Sequence, residues 1–431
     1  MEIRSRRPVV LAAAVTMVLA LAGCWPVPGG NADRTAHNPF EQALTTASVP
    51  DLAPAWTAQL GPGNSGPVVM DRGVVFVRVG RSVTGLDART GATRWAWVPP
   101  GDETDPFAVG DPLVVEGRVL VGYGYGALGG MWTGTALDPR TGQPVDGPVA
   151  RGLLATARGT IVASDAYSHG SGTPVLVGYQ LTDVSGATTV NGGALSLESS
   201  GSGSRPRLTV GEHAVYHAGN GLVPGDFDGW GQAGGVRRFS FRAAGSCGPS
   251  GATIFACPDW MAPMSPMTDV VIGPGETTLY VGRTGGSVAA LDAATGAVRW
   301  TAAVGAEVTA TPALADGTLY VPTADGDLVA VDAAGCGAAT CTPLWSAAVD
   351  GTALAQQPAV AGAGEDAVVF AGTQGGTLAA LPAAGCGAAT CAPVWQASVG
   401  AAVTGAPAVT AGRVVVGTQG GRVAAFHLPP G

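Results

Sequence analysis

Lysine is absent from this chain of 431 residues, so all 22 strongly basic side chains are arginines. Charged residues of every kind amount to 12%, about half the share in an ordinary soluble domain, and aromatics to only 6%. The formal net charge is −9, and it falls to −11 when residues 1–23, which hold three arginines and one glutamate, are set aside. An acidic chain with no basic run gains nothing from counterion release, which excludes nucleic acid as a partner. Long apolar runs are missing too: residues 8–23 form an uncharged stretch of 16 residues, short of the roughly 20 that a membrane-spanning helix needs. There is no Cys-Cys dipeptide, and no G-x-S-x-G elbow with an assignable partner histidine, which argues against a nucleophile-elbow hydrolase. What is plentiful is glycine, at 68 residues, set among alanine and valine in a way that suits turn-rich β structure.

The N-terminus has the layout of an export signal: three arginines in MEIRSRR, then the apolar stretch, then Cys24. Leu21-Ala22-Gly23-Cys24 resembles the lipobox of bacterial lipoproteins, in which the cysteine thiol is diacylated and becomes the first mature residue; ordinary secretory cleavage nearby is the alternative. Either route places the folded part outside the cytoplasm, where disulfides persist. The expected organisation is a signal peptide at 1–23, a lipid-anchored tether at 24–51 and a folded domain at 52–431. If the tether behaves as a flexible coil it spans roughly 30 Å, enough to hold the domain away from a bacterial cell membrane or envelope.

With Cys24 assigned to lipid, six of the seven cysteines remain. The pairs Cys247 with Cys257, Cys336 with Cys341 and Cys386 with Cys391 are local and sit in similar strings, FRAAGSCGPSGATIFACPDW, VDAAGCGAATCTPLW and LPAAGCGAATCAPVW. Each reads as a strand, a tip of small residues closed by two cysteines, and a second strand leading to a tryptophan. Opposed Cα atoms at the end of an antiparallel pair stand about 4.5–5.5 Å apart, a span a disulfide fits. Zinc is the alternative, but the twin GCGAATC tips have no histidine nearby to complete a ligand set.

The segments repeat. Residues 312–349 read PAL, Asp316-Gly317, TLYVPT, Asp325-Gly326, DLVAVDA, the stapled tip and TPLWSAAV, which makes four strands. Asp-Gly between apolar runs is a strong hairpin signal because a type I′ turn needs positive φ at both central residues. The same order recurs at 66–98, 269–304 and 359–399, with weaker units starting near Asp111, Gly152 and Arg207. Four-stranded units of this length in series indicate propeller blades. The last unit, at 406–428, lacks its outer strand, and LAPAWTAQL at 52–60 matches what is missing. The expected fold is all-β: an eight-bladed β-propeller of four-stranded antiparallel blades, closed by the N-terminal strand joining the last blade, which leaves no open edges.

LDARTGATRW at 86–95 and LDAATGAVRW at 291–300 resemble the tryptophan-docking repeat of quinoprotein-type (PQQ-like) propellers, in which an aspartate and a Thr-Gly turn join strands three and four and the tryptophan wedges between blades. The resemblance spans residues 52–428, weakest from 111 to 241, and assigns the docking place to Trp56, Trp95, Trp260, Trp300, Trp345 and Trp395. Among lipid-anchored members the chain is similar to the propeller subunit of the outer-membrane β-barrel assembly machinery, a non-enzymatic scaffold. The repeat also occurs in quinone-dependent dehydrogenases of alcohols or sugars, which carry adjacent cysteines over the cofactor, an acidic calcium site and a catalytic aspartate. This chain has no such cysteine pair, and Asp87, Asp292 and Asp332 have a sufficient role in accepting bonds from turn amides. No cofactor is expected.

The longest departures from the repeat lie between strands two and three of the weaker units, at 122–132, 164–174 and 217–235. They carry Tyr123, Tyr125, Trp132, Tyr167, His169, Phe227 and Trp230, and in a four-stranded blade they share the face opposite the stapled tips. Aromatics on loops held by a rigid scaffold suit partner binding; covering the ends of poorly packed blades is the bland alternative. Asp226 and Asp228 form a fragment of a calcium loop without enough oxygen ligands. His213 and His217 share a face if their strand is regular, but lack a third ligand. The expected protein is a monomeric, non-enzymatic, extracytoplasmic lipoprotein, held at the membrane by its anchor and binding a protein or cell-envelope polymer.

Overall fold

The computed structural model describes residues 24–101, 107–115, 117–125, 132–145, 153–157, 160–167, 176–183, 189–196, 207–219, 234–240 and 259–429. Among them the regular structure is almost entirely β, in sheets that each take one repeat of the sequence. The first sheet is a meander of Val69–Asp71, Val74–Val79, Ser82–Asp87 and Thr93–Trp97. Its inner strands are apolar almost without interruption because both of their faces are covered, whereas its outermost strand buries Trp95 and Trp97 and exposes Thr93, Arg94 and Ala96. The fifth sheet shows the same gradient, from the buried Val271–Ile272 through Thr278–Arg283 and Ser287–Asp292 to the half-exposed Val298–Ala303.

Turn chemistry sets the connections. Asp316 and Gly317, between Ala313–Ala315 and Thr318–Pro322 of the sixth sheet, have φ of 46° and 79°, the positive pair that a tight hairpin requires. In the second sheet the innermost position is split into Phe107–Val109 and Leu113–Val115, both paired with Arg118–Tyr125. Among the described residues, strand three of this sheet is flanked on its outer side by a bridge between Leu137 and Pro144.

Sheets consecutive in sequence are neighbours in space. Inner strands of the first and second, sixth and seventh, and seventh and eighth sheets touch. The fourth and fifth are joined where Glu276 accepts the amides of Glu212 and His213, at 2.8 and 3.0 Å, and the Tyr216 hydroxyl, at 2.7 Å. The fifth and sixth are joined where the Tyr280 hydroxyl donates to the Ala333 carbonyl at 3.0 Å. Two contacts run between distant parts of the chain: Val69–Asp71 touches Ala408–Thr410, and Ala53–Gln59 pairs antiparallel with Arg422–His427 as the outermost strand of the eighth sheet.

The segment from 25 to 51, expected to be a coil, is built into the molecule instead. Trp25 is 2% exposed and exchanges two backbone hydrogen bonds with Met70. Leu44 and Val49 are fully buried, and His37–Asn38 adds as a parallel strand inside Ala359–Ala361. A sheet whose strands converge on an axis leaves inner edges with free amides and carbonyls, and here the chain's own N-terminal segment satisfies part of that demand.

Candidate functional site

An antiparallel meander sends its one–two and three–four links to one face of the stack of sheets and its two–three links to the other. The first will be called the staple face, because it carries the cysteine tips. The Gly326, Gly376 and Gly421 turns on the opposite face lie against the inter-sheet segments at Thr352, Ala401 and Gly61.

The N-terminal segment enters the axis from the staple face as a hairpin. Cys24 lies beside Asp71, in the one–two turn of the first sheet, and Trp25 runs inward along Met70. The Pro26 carbonyl accepts the Val114 amide, and Val27 packs on Leu113, Val115 and Leu120 of the second sheet. The turn of the hairpin reaches the far ends of the inner strands, where Arg34 pairs with Asp269 at 2.9 Å and its carbonyl accepts from the Gln357 amide at 2.8 Å. The return arm passes the fifth, sixth and seventh sheets, its Asp33, Thr35 and Ala36 carbonyls accepting the amides of Ile272, Leu314 and Val360. It leaves on the staple face, where Glu41, 2% exposed, accepts the amides of Ala43, Leu44 and Gly412. Asn38 meanwhile donates to the Val409 carbonyl at 3.0 Å. Residues 25–38 thus run between the inner strands of the first, second, fifth, sixth, seventh and eighth sheets.

Cys24 is half-buried, and its thiol donates to Asp71 Oδ1 at 3.2 Å. Burial first, and then the hydrogen bond and negative charge of Asp71, push this thiol up to about 11. A thiol in that state is a poor nucleophile.

Around the periphery the tryptophans sit on the three–four turns of the next sheet. The indole N–H of Trp56 donates to the Ala88 carbonyl, that of Trp95 to Pro139, that of Trp260 to Ala293 and that of Trp395 to Leu52, at 3.0–3.1 Å. Trp300 and Trp345 lie over Gly335 and Gly385 in the same way. Sequence reasoning missed the receiving turn of the second sheet, where Gly142 lies under Trp95; the string LDPRTG at 137–142 matches LDARTG and was the available signal. It also missed the aromatics that stack beneath the tryptophans from strand two, Phe76, Tyr216, Tyr280 and Tyr320. The Asp87 and Asp292 carboxylates accept their own turn amides. Arg94 and Arg299 hydrogen-bond them and hold both near about 2.

Cys336–Cys341 and Cys386–Cys391 are disulfides that close three–four tips. Thr340–Cys341 also pairs in parallel with Val298–Ala303 of the preceding sheet, and Thr390 bridges to Ser346 likewise, so each tip adds to its neighbour. Cys247, Cys257, His169, Phe227, Trp230, Asp226 and Asp228 lie outside the described residues.

The other expected loop aromatics are strand residues. Tyr123 and Tyr125 belong to Arg118–Tyr125, Trp132 begins Trp132–Leu137, and Tyr167 ends Thr160–Tyr167. Tyr123 packs edge-on against Trp97 with ring centroids 5.5 Å apart and joins the core between the first and second sheets, so it is a packing residue, not a free loop side chain. The reason is that strand two of this sheet runs on to pair with Phe107–Val109. His213 sits in the turn before Ala214–Gly219 while His217 is buried within that strand, so the two do not share a strand face. Among the described residues no group of three or more His, Cys, Asp or Glu is placed to hold a metal ion.

A quinone held on the axis, as in quinoprotein dehydrogenases, needs a cavity there and polar groups free to grip it. The axis of this chain holds Trp25, Val27 and Ala36 in buried positions, and its polar groups, Asn38, Glu41, Gln357 and the Arg34–Asp269 pair, are bonded to one another or to backbone. The described residues do not fit the group.

Three comparisons bear on this geometry. A family model described as outer membrane protein assembly factor BamB matches residues 41–204, 259–386 and 336–428. Among solved structures, a quinohemoprotein alcohol dehydrogenase from Pseudomonas putida HK5 superposes with a TM-score of 0.63 at 15% identity, covering 96% of this chain and 82% of its own. That from Comamonas testosteroni gives 0.59 at 16%, with the same coverage. BamB from Moraxella catarrhalis gives 0.52 at 15%, covering 87% and 99%. Likeness at such identities shows the fold alone, a PQQ-like propeller. No curated protein sequence matches the chain significantly.

Proposed function

Since the chain belongs to the outer membrane protein assembly factor BamB family, we propose that it is a non-enzymatic, lipid-anchored scaffold outside the cytoplasm. In this reading it is an eight-bladed ring, closed by its own N-terminal strand, that binds a protein or cell-envelope polymer through the face opposite the staples. The observation that carries this is the axial hairpin: the place where a related dehydrogenase would hold its quinone is spent on the chain's own residues 25–38. Lipidation at Cys24 follows from the lipobox-like string ahead of it, and no helix among the described residues is long and apolar enough to cross a membrane. The suppressed nucleophilicity of the seated thiol puts acylation before the hairpin docks. Because both arms of the hairpin open on the staple face, an acylated Cys24 never has to thread the ring.

The competing reading is a quinone-dependent dehydrogenase, favoured by the superposition on two quinohemoprotein alcohol dehydrogenases. Titrating the purified full chain with quinone and calcium separates the two. The scaffold reading expects no saturable absorbance change and no dye reduction with alcohols or sugars; saturable binding with turnover would overturn it. Its positive counterpart is co-purification from the native envelope, where a stoichiometric partner should be retained after the lipid is exchanged for detergent.

A further inference from the structure

We infer that the sector of the staple face formed by the first and second sheets, around the point where Cys24 leaves the axis, docks on anionic lipid headgroups and thereby fixes how the disc lies on its membrane. This rests on the anchored reading above. Among the described residues arginine is exposed at 72, 89, 94, 140 and 299. Arg94 and Arg299 are spent on Asp87 and Asp292, each at 2.7 Å. The three that remain all stand on the staple face of the first two sheets. Arg72 lies in the one–two turn of the first sheet, with its side chain 77% exposed and only a loose 3.7 Å approach to Asp71. Arg89 and Arg140 occupy the three–four turns of the first and second sheets.

Among the described residues the acids of that sector are engaged by turn amides or buried. Asp87 and Asp138 accept the amides of Arg89, Thr90, Arg140 and Thr141. Asp71 is buried beneath Cys24. The other exposed acids described on that face lie on the remaining sheets: Asp51 on the eighth, Glu212 and Asp259 on the fourth, and Asp316, Glu365 and Asp366 on the sixth and seventh. Charges separated by more than about 10 Å are screened from one another at ordinary ionic strength, so the arginines of the first two sheets act as a local basic sector on an otherwise acidic face. A net acidic protein thus keeps its exposed arginine beside the atom that would bear the acyl chains. Cys24 bonds to Asp71, next in sequence to Arg72, with no linker between anchor and body. Headgroup phosphates are the anions that surround an inserted acyl chain, and each arginine near such a surface raises partition about fivefold. The disc leans on its first two sheets, and the acidic remainder of that face and the opposite face stay clear for a partner.

The test uses the acylated full chain in vesicles of phosphatidylcholine, with and without about one-third phosphatidylglycerol, read by hydrogen exchange. Amides at 72–73, 89–91 and 140–142 should exchange at least about fivefold more slowly on the anionic vesicles, and about 0.5 M salt should reverse this. Turns on the opposite face, at 325–326 and 375–376, should not change. R72E/R89E/R140E should remove the effect with its melting temperature intact, and R89Q alone should weaken it in part. Equal protection on both kinds of vesicle, protection of the opposite face, or an unaltered triple variant overturns the inference. If the intact mass reveals no diacylglycerol on Cys24, the anchored reading fails by itself. Flotation of the same chain with anionic vesicles then tests the arginines alone: salt-reversible binding supports them, and no flotation sinks them.

Discussion

Gly296 has φ of +73°, and a Cβ built on it would stand 2.4 Å from Cε3 of Trp260. Two independent costs therefore meet at one atom, the left-handed backbone and the overlap with an indole that cannot withdraw from between two sheets. Gly296→Ala should lose about 1–3 kcal/mol, and Trp300→Ala, which empties a site only 4% exposed, about 3–5 kcal/mol. Chemical denaturation of each variant against the parent measures both. The turn aspartates give a pH signature. Asp87 and Asp292 are held near about 2 chiefly by Arg94 and Arg299, so their stabilisation is complete above the ordinary carboxylate range and is lost as pH falls from about 4 to about 2. Arg94→Gln with Arg299→Gln should lower the melting temperature at pH 7 and flatten its fall across that window. These positions were legible in the sequence because Asp, Thr-Gly and Trp recur at fixed spacing. Tyr280 and Tyr320 were not singled out, although both occur in the repeated TLYV, because a lone aromatic in an apolar strand does not declare which neighbour its hydroxyl will reach.

At the scale of elements the staples and the axial hairpin differ in how they announce themselves. A cysteine-closed tip repeats verbatim fifty residues apart, and both copies close as disulfides with Cα atoms 5.6 and 5.7 Å apart. Each loop is short, so loop-closure entropy gives about 2 kcal/mol at most, and replacing Cys386 and Cys391 together by serine should lower unfolding stability by no more than that. The hairpin carries no periodic signal because its bonds are spread, one or a few each, over the first, second, fifth, sixth, seventh and eighth sheets in turn. No run of its residues meets one surface for long enough to set a period of two. That is why residues 25–51 read as a tether while Trp25 is 2% exposed. The lysine-free composition makes the difference easy to measure, since trypsin cuts this chain only after arginine. A coil would be cleaved after Arg34 ahead of every other bond. The seated hairpin should keep Arg34 uncut until the molecule unfolds, with exposed Arg72, Arg89 and Arg140 attacked first.

For the whole molecule, the all-β character and the four-stranded antiparallel unit could be read from the repeat. The weak middle units were harder, because no tryptophan follows the LDPRTG turn of the second sheet to mark its end. A local basic sector within a net acidic chain was hidden for a different reason: Arg72, Arg89 and Arg140 are brought to one face by turns of two sheets and never form a run in sequence. The proposed closure depends on Ala53–Gln59 pairing with Arg422–His427, two segments more than 360 residues apart by the 361-residue separation of Gln59 and Gly420 that hydrogen-bond beside them. Contacts that distant in sequence form late, after the ring has nearly assembled, because loop closure is costly until other interactions hold the ends near each other. Once formed, the pair is supported on both flanks, by Trp56 on the first sheet and Trp395 on the seventh. It should therefore open only with the ring as a whole. Native-state hydrogen exchange on the full chain is expected to give the amides of 53–59 and 422–427 the same opening free energy as those of the inner strand 414–416. An open ring would instead let 53–59 fray as a free edge, exchanging many times faster than 414–416 and independently of global stability.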